Sequence, residues 1–356
     1  MAQPRMQLAV DQSVFLSENP FLVTDEDPGS SALEVAVRPR LDWQVGHATA
    51  LEVEGAARVR RYQRRYGDFV TGRVDATVRH RDSEYLSLRG ILRYARELPT
   101  DALTGSLDAA LDTRSVRETR SARAVAEWSP DAVTMVNAGV GAMRTRYPGS
   151  LLLQTADAYD FSIDASKRLS ARTRIGLQGQ VSVSKSDELG SRAAKSIQLT
   201  ARRKLSETWR ADVGAGVEWA GTPQQPGGGN GRERPRFTGL GTLCNESVRF
   251  LLCLSAALRS EVSALTGLRR EWTLGADADL RLSEYGTLSL TGDYRKASGG
   301  PTPIDLFRLS AAYEHRLSQR ISLTGGVDYL RRSAADSGRI GAAIAHVTLT
   351  FRGLRP

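Results

Sequence analysis

The chain alternates with a period of two. Leu33, Val35, Val37, Leu41, Trp43 and Val45 are interleaved with Glu34, Arg38, Arg40 and Asp42. Trp209, Ala211, Val213, Ala215, Val217 and Trp219 are interleaved with Arg210, Asp212 and Glu218. That is the period of a β-strand whose two faces meet different surroundings. Such stretches recur from end to end with hardly a helical segment between them. A long chain built only of two-faced strands has few ways to bury its apolar faces. The best is a closed barrel in a membrane, apolar side to lipid and polar side to a water-filled lumen. The expected fold is therefore all-β, a transmembrane antiparallel up-and-down β-barrel.

Composition fits that reading. The chain has 356 residues and no apolar run of about 18, so it has no transmembrane helix. The mean hydropathy of −0.33 would suit a soluble protein, but only half of each barrel strand is apolar. No linker-like shift in texture divides the chain, and residues 1–356 read as a single domain. The chain opens Met1-Ala-Gln-Pro-Arg5 with no hydrophobic segment; an outer-membrane destination implies an export signal that has been removed.

Short turns and long loops take turns along the chain. Short connections fall at Gly46–Thr49, Arg81–Glu84, Ser129–Ala132, Ser170–Thr173, Ser206–Thr208, Asn245–Ser247, Ser283–Gly286 and Ser318–Arg320. Four share a local text, as in Arg203-Lys-Leu-Ser206 and Leu280-Arg-Leu-Ser283. There leucine ends the apolar face and the serine hydroxyl is placed to bond nearby backbone. Longer polar connections fall near 17–31, 61–68, 95–117, 147–156, 185–195, 220–236, 259–271, 295–303 and 331–338. Together they join about 18 strands, an even number, with both termini at the short-turn, periplasmic end. Aromatics support the two ends: Trp43, Tyr85, Trp128, Trp209, Phe250, Tyr313 and Phe351 mark the short-turn side. Phe69, Tyr94, Tyr147, Tyr159, Trp219, Phe237, Trp272, Tyr294, Phe307 and Tyr329 mark the other. Two aromatic girdles around an aliphatic band are what lipid interfaces select.

The net charge is +9, and nearly all of the cation is arginine. Strand parity turns Arg38, Arg40, Arg58, Arg60, Arg73, Arg79, Arg89, Arg93, Arg123, Arg144, Arg174, Arg202, Arg210, Arg249, Arg281, Arg295 and Arg308 toward the lumen. Inward acids accompany them, among them Glu52, Glu54, Asp75, Asp277, Asp279 and Asp328. The plainer reading is cross-strand pairing that stiffens a wet wall. The functional one is a substrate path in which excess arginine guides an acidic chain. Arginines that alternate with apolar residues and form no basic tail or motif do not indicate nucleic-acid binding.

Signals for an enzyme are weak. His47, His80 and His315 sit beside short turns and His346 lies in the last strand, so none is placed for a nucleophile–base pair at the outer rim. No metal-ligand cluster or cofactor motif stands out. Gly227-Gly-Gly-Asn-Gly231 lacks the strand–loop–helix setting of a phosphate cradle and reads as a loop. Cys244 and Cys253 flank the turn at 245–247. With a two-residue turn there they fall out of register and too far apart to bond. With a turn spanning 245–252 a disulfide could close it.

The opening strand Leu8–Leu16 with Ser17-Glu-Asn-Pro-Phe-Leu22 after it, the Arg/Lys-Leu-Ser turns and the Cys244/Cys253 pair resemble outer-membrane barrels of bacterial exopolysaccharide export systems, including those of exosortase/PEP-CTERM-associated clusters. The resemblance implies a secretion porin for a surface polysaccharide, working with a periplasmic polysaccharide-export protein. The final Val347-Thr-Leu-Thr-Phe351 resembles the C-terminal signal read by barrel-assembly machinery, although five residues follow it. Membrane lipids and lipopolysaccharide are the expected surroundings. Two other classes share every strand feature. A general or substrate-specific diffusion porin would carry an inward-folded constriction loop, for which 95–117 is the long candidate. A structural or adhesive surface barrel would have a plugged lumen.

Overall fold

The computed structural model describes residues 4–23, 29–64, 66–98, 100–101, 115–151, 153–186, 190–220, 234–263, 267–298, 303–334 and 338–353. Alternation produces strands throughout them: β1 (Arg5–Ser17), β2 (Ser30–Gln44), β3 (Thr49–Tyr62), β4 (Asp68–Arg81), β5 (Leu86–Glu97) and β6 (Arg117–Trp128). They continue with β7 (Thr134–Arg146), β8 (Ala156–Arg168), β9 (Thr173–Ser186), β10 (Gly190–Lys204), β11 (Trp209–Ala220) and β12 (Arg234–Glu246). The last are β13 (Phe250–Ser263), β14 (Gly267–Arg281), β15 (Gly286–Ser298), β16 (Ile304–Arg316), β17 (Ile321–Ala334) and β18 (Gly338–Arg352). Each strand pairs antiparallel with its sequence neighbours, and β1 also pairs with β18, with Val14 opposite Val347. The ring is closed and has 18 strands.

The turns sit close to the expected places, and the serines act as anticipated. Ser206 Oγ accepts from the backbone N–H of Thr208 at 3.3 Å and of Trp209 at 3.0 Å; Ser318 Oγ does the same for Arg320 and Ile321. Leu169, Leu205, Leu282 and Leu317 lie exposed just before or within these turns. Two connections are much shorter than their polarity suggested. β9 runs to Ser186 and β10 begins at Gly190; β13 runs to Ser263 and β14 begins at Gly267. Polar and charged residues there are strand residues beyond the lipid band, where hydropathy no longer separates strand from loop. The glycine-rich segment 227–231 and residues 102–114 of the 95–117 loop lie outside the described residues.

The outer face is apolar, as Leu92, Val140, Phe161, Leu177, Leu199 and Val213 show; all are exposed on the barrel exterior. The buried apolar clusters instead lie inside, toward the long-loop end. Leu22 packs against Ala297, Ile304, Leu306, Leu330 and Ala342, and Phe21 and Val23 pack against Ala32, Tyr62 and Leu98. The segment after β1 is therefore folded into the lumen. Asn19 fixes its shape: its Oδ1 accepts from Val23 N–H at 2.9 Å and its Nδ2 donates to Val23 carbonyl at 2.8 Å. Leu22 takes a left-handed φ of 50° there. Burying a Phe or Leu side chain contributes roughly 1.5–3 kcal/mol, enough to hold a six-residue segment against water. Phe69 and Tyr147, expected in the outer girdle, also turn to protein neighbours: Phe69 to Phe21 and Tyr62, Tyr147 to Leu153 and Ala156.

The wall itself folds in on the other side. The β12–β13 ladder stops at Gly239–Leu258, although both strands continue. Beyond that point side chains replace the ladder. Glu218 of β11 accepts from Ser260 N–H at 2.9 Å, Thr238 Oγ donates to Leu258 carbonyl at 2.8 Å, and Arg270 donates to Phe237 carbonyl. β14 comes within 8 Å, Cα to Cα, of β9 and β10 across the lumen, and Glu271 at its start lines the same cavity as Gln178 and Gln198. Gly216 permits the sharp corner at β11, since a Cβ there would lie 1.9 Å from the Ile197 carbonyl oxygen. Arg269 and Glu271, both 1% exposed, end up buried in this fold of the wall.

Candidate functional site

Paired residues on adjacent strands share a face, so the ladders fix which arginines face the lumen. Fifteen of the seventeen expected arginines lie on inward positions. Arg144 does not: it stands opposite Arg120 on the outer face and pairs with Asp157 at 3.4 Å. The parity slipped because β7 reads Val140-Gly-Ala-Met-Arg144, with no clear polar face near its end. Arg249 lies in the turn between β12 and β13 rather than on a strand.

Most of the inward arginines are paired. Arg38 bonds Asp11 at 2.7 Å, and Arg40 bridges Asp42, Glu52 and Glu54. Arg60 holds Glu34 at 2.8 Å and Asp101 at 3.2 Å and lies over the Phe15 ring. Arg73 and Arg93 share Asp75, and Arg79 reaches Glu52 at 3.6 Å. Arg123 meets Asp160 at 3.0 Å, Arg202 meets Asp212, and Arg210 meets Glu246 at 3.5 Å. Arg295 meets Glu271 at 2.9 Å and Arg308 meets Asp328 at 2.9 Å. Arg174 donates only to Met135 Sδ, and among the described residues Arg58, Arg89 and Arg281 have no carboxylate within 4.0 Å.

The acids inside are more numerous than sequence parity found. Asp11, Glu34, Asp42, Asp160 and Glu271 also face in, and so do the uncounted Arg117, Arg259 and Arg352. Arg58 and Arg89 belong to β3 and β5, beside Arg38, Arg73, Arg79 and Arg93. Asp277, Asp279 and Asp293 belong to β14 and β15 and have no cation within 4.0 Å among the described residues. β5 and β14 are nine places apart in the ring of 18, so these two groups face each other across the lumen. Glu127 on β6 is an acid on the arginine side. Opposed charges on two low-dielectric walls set up a transverse field, which orients a solute carrying both an anionic and a polar end.

Two cavities open inside toward the long-loop end. One, of about 360 Å³, is lined by Asp11, Phe15, Arg38, Arg58, Arg60 and Arg73. The other, of about 540 Å³, is lined by Arg123, Gln178, Gln198, Glu218, Glu271 and Arg295. The elements that narrow them were only partly expected. Leu98 and Thr100 of the 95–117 loop are buried and Asp101 bonds Arg60, but the 18–23 segment and the start of β14 also fold inward. The run Pro20-Phe-Leu-Val23 was the available signal, an apolar cluster inside a loop. Among the described residues no group of His, Cys, Asp and Glu could hold a metal ion.

Cys244 and Cys253 occupy directly paired positions on β12 and β13 and form a disulfide. The turn lies at 247–250, with Ser247 N–H bonded to Phe250 carbonyl at 2.8 Å, rather than at 245–247. That shift brings the two cysteines into register.

No protein-family model matches the chain, and neither does any curated protein sequence. Solved structures do share its fold. The outer membrane protein OpdK of Pseudomonas aeruginosa is 9% identical, with 99% of each chain covered and a TM-score of 0.52. OccK2 (OpdF) of the same organism, solved in complex with glucuronate, is 11% identical, with 99% of each chain covered and a TM-score of 0.51. The siderophore receptor PirA is 8% identical with a TM-score of 0.51, covering 99% of this chain and 81% of that one. The chain thus shares the closed antiparallel barrel architecture of these outer-membrane proteins.

Proposed function

We propose that this protein is a substrate-specific diffusion porin for small organic anions, carboxylates in particular. The observation that carries the reading is the ladder of inward arginines on β2–β5, of which Arg58 and Arg89 keep their guanidinium donors free of carboxylates. A guanidinium pairs bidentately with a carboxylate, and a row of them lets an anion pass from one to the next. The glucuronate of OccK2 (OpdF) has the same chemistry. Long loops face outward and both termini face the periplasm in this reading. An exopolysaccharide path, implied by the sequence resemblance, draws less support. The 18–23 segment and the start of β14 narrow the lumen, and cavities of about 360 and 540 Å³ suit a solute of few heavy atoms better than a polymer chain. Liposome swelling tests the proposal. Vesicles holding the protein should admit glucuronate faster than glucose, and R58Q/R89Q should erase the difference. Equal rates for the two solutes in the parent would refute it.

A further inference from the structure

The outer face of β5–β9 carries basic residues that the pathway does not use. Arg96, Arg120, Arg144, Arg146 and Lys185 are all exposed near the long-loop ends of their strands. They share the exterior register with Tyr94 and Tyr159. Arg120 stands opposite both Tyr94 and Arg144, and Ala142, two residues before Arg144, stands opposite Tyr159. Among the described residues two carboxylates accompany them: Glu118, 3.2 Å from Arg96 and opposite Arg146, and Asp157, 3.4 Å from Arg144 and opposite Lys185. Like charges directly opposite on one face of a sheet repel, so the Arg120–Arg144 pair, with Asp157 beside Arg144 and the Tyr94 ring 5.8 Å from the Arg120 guanidinium, gains from a further anion. The patch also lies at the girdle, where an uncompensated cation meets lipid.

We infer that this patch binds the phosphorylated glycolipid headgroup of the outer leaflet, with its phosphates across Arg120, Arg144 and Arg146. Guanidinium forks match phosphate oxygens bidentately. Five adjacent strands at about 4.8 Å spacing spread the cations over roughly 19 Å, room for a headgroup with more than one phosphate and too wide for a single-phosphate lipid to satisfy. The inference rests on the proposed orientation, long loops outward, but not on what the lumen conducts.

Native mass spectrometry of the purified full-length protein in non-ionic detergent tests it, with bisphosphorylated lipid A and phosphatidylglycerol as probes and inorganic phosphate as competitor. The parent should retain lipid A in preference to phosphatidylglycerol, and inorganic phosphate should not displace it. R120Q/R144Q/R146Q should lose about tenfold in lipid A occupancy, R120K/R144K/R146K should lose less because the charge stays while the bidentate fork goes, and the lumen variant R58Q/R89Q should keep it. Heat-modifiable mobility on gels reports folding. Should the triple Gln variant not fold, R120Q and R146Q singly should each cut occupancy about threefold. Undiminished lipid A on the folded Gln variants, equal occupancy by phosphatidylglycerol, or displacement by phosphate would overturn the inference. Because no transport is measured, its failure is separate from failure of the anion-porin reading.

Discussion

Cys244 and Cys253 face each other on adjacent strands near a short turn, with Cα atoms 4.1 Å apart and nine positions apart in sequence. Their bond closes a hairpin that the ladder already holds at Cys244–Cys253, Asn245–Leu252 and Glu246–Leu251. The β12–β13 ladder is the one whose upper part gives way to side-chain contacts, so its lower part anchors the join. C244S/C253S should lower stability by about 2–3 kcal/mol on the chain-entropy account of a loop this size. Urea unfolding in lipid vesicles measures the loss, and thiol titration of the unreduced, unfolded parent should find no free thiol.

The two faces of β9 should answer differently to charge. Leu177 is outward and exposed to lipid, and its neighbour Gln178 faces the lumen. Leu177→Arg should cost about 2–4 kcal/mol, as expected for arginine near the bilayer midplane. Gln178→Arg should fold like the parent in a heat-modifiability gel. Gln198 is a poorer control than its parity suggests, because its amide donates to the buried Thr238 hydroxyl at 3.1 Å.

Asp131, in the turn between β6 and β7, gives a pH-dependent signal. Its carboxylate accepts from the N–H groups of Val133 at 2.7 Å and Thr134 at 2.6 Å and from the Thr134 hydroxyl at 3.0 Å. The Val133 and Thr134 bonds hold its pKa below the usual aspartate value. A pKa lower in the folded than in the unfolded chain means that the turn gains stability above the unfolded value and loses it as pH falls through the folded one. NMR titration of the Asp131 carboxyl should give a midpoint below that of a free aspartate. Asp131→Asn should remove the acid-side dependence of the turn amides.

Most of this fold is written in alternation and turn chemistry. Leu33 to Val45 and Trp209 to Trp219 announce strands because lipid and water select opposite faces. The serines of the Leu-Ser turns announce where hairpins reverse. What alternation does not carry is the shape of the lumen. A residue pattern places Gln198 and Glu218 inward but cannot tell a solvated wall from one folded onto the opposite side. The inward segment at Pro20–Val23 was hidden for the same reason, since its apolar residues match partners such as Leu306 and Leu330 that lie far along the chain. Arg144 was misplaced where β7 loses its polar face, and the pairing of Cys244 with Cys253 hung on a two-residue difference in one turn.

The most direct test of the central claim is the reversal potential of the purified protein in planar bilayers under a KCl gradient. The unpaired guanidinium groups of Arg58 and Arg89 should make the parent anion-selective, and R58E/R89E should move the reversal potential toward the cation value. Removing the facing acids with D277N/D279N should move it further toward anions. A cation-selective parent, or a reversal potential that R58E/R89E leaves in place, would contradict an arginine pathway for anions.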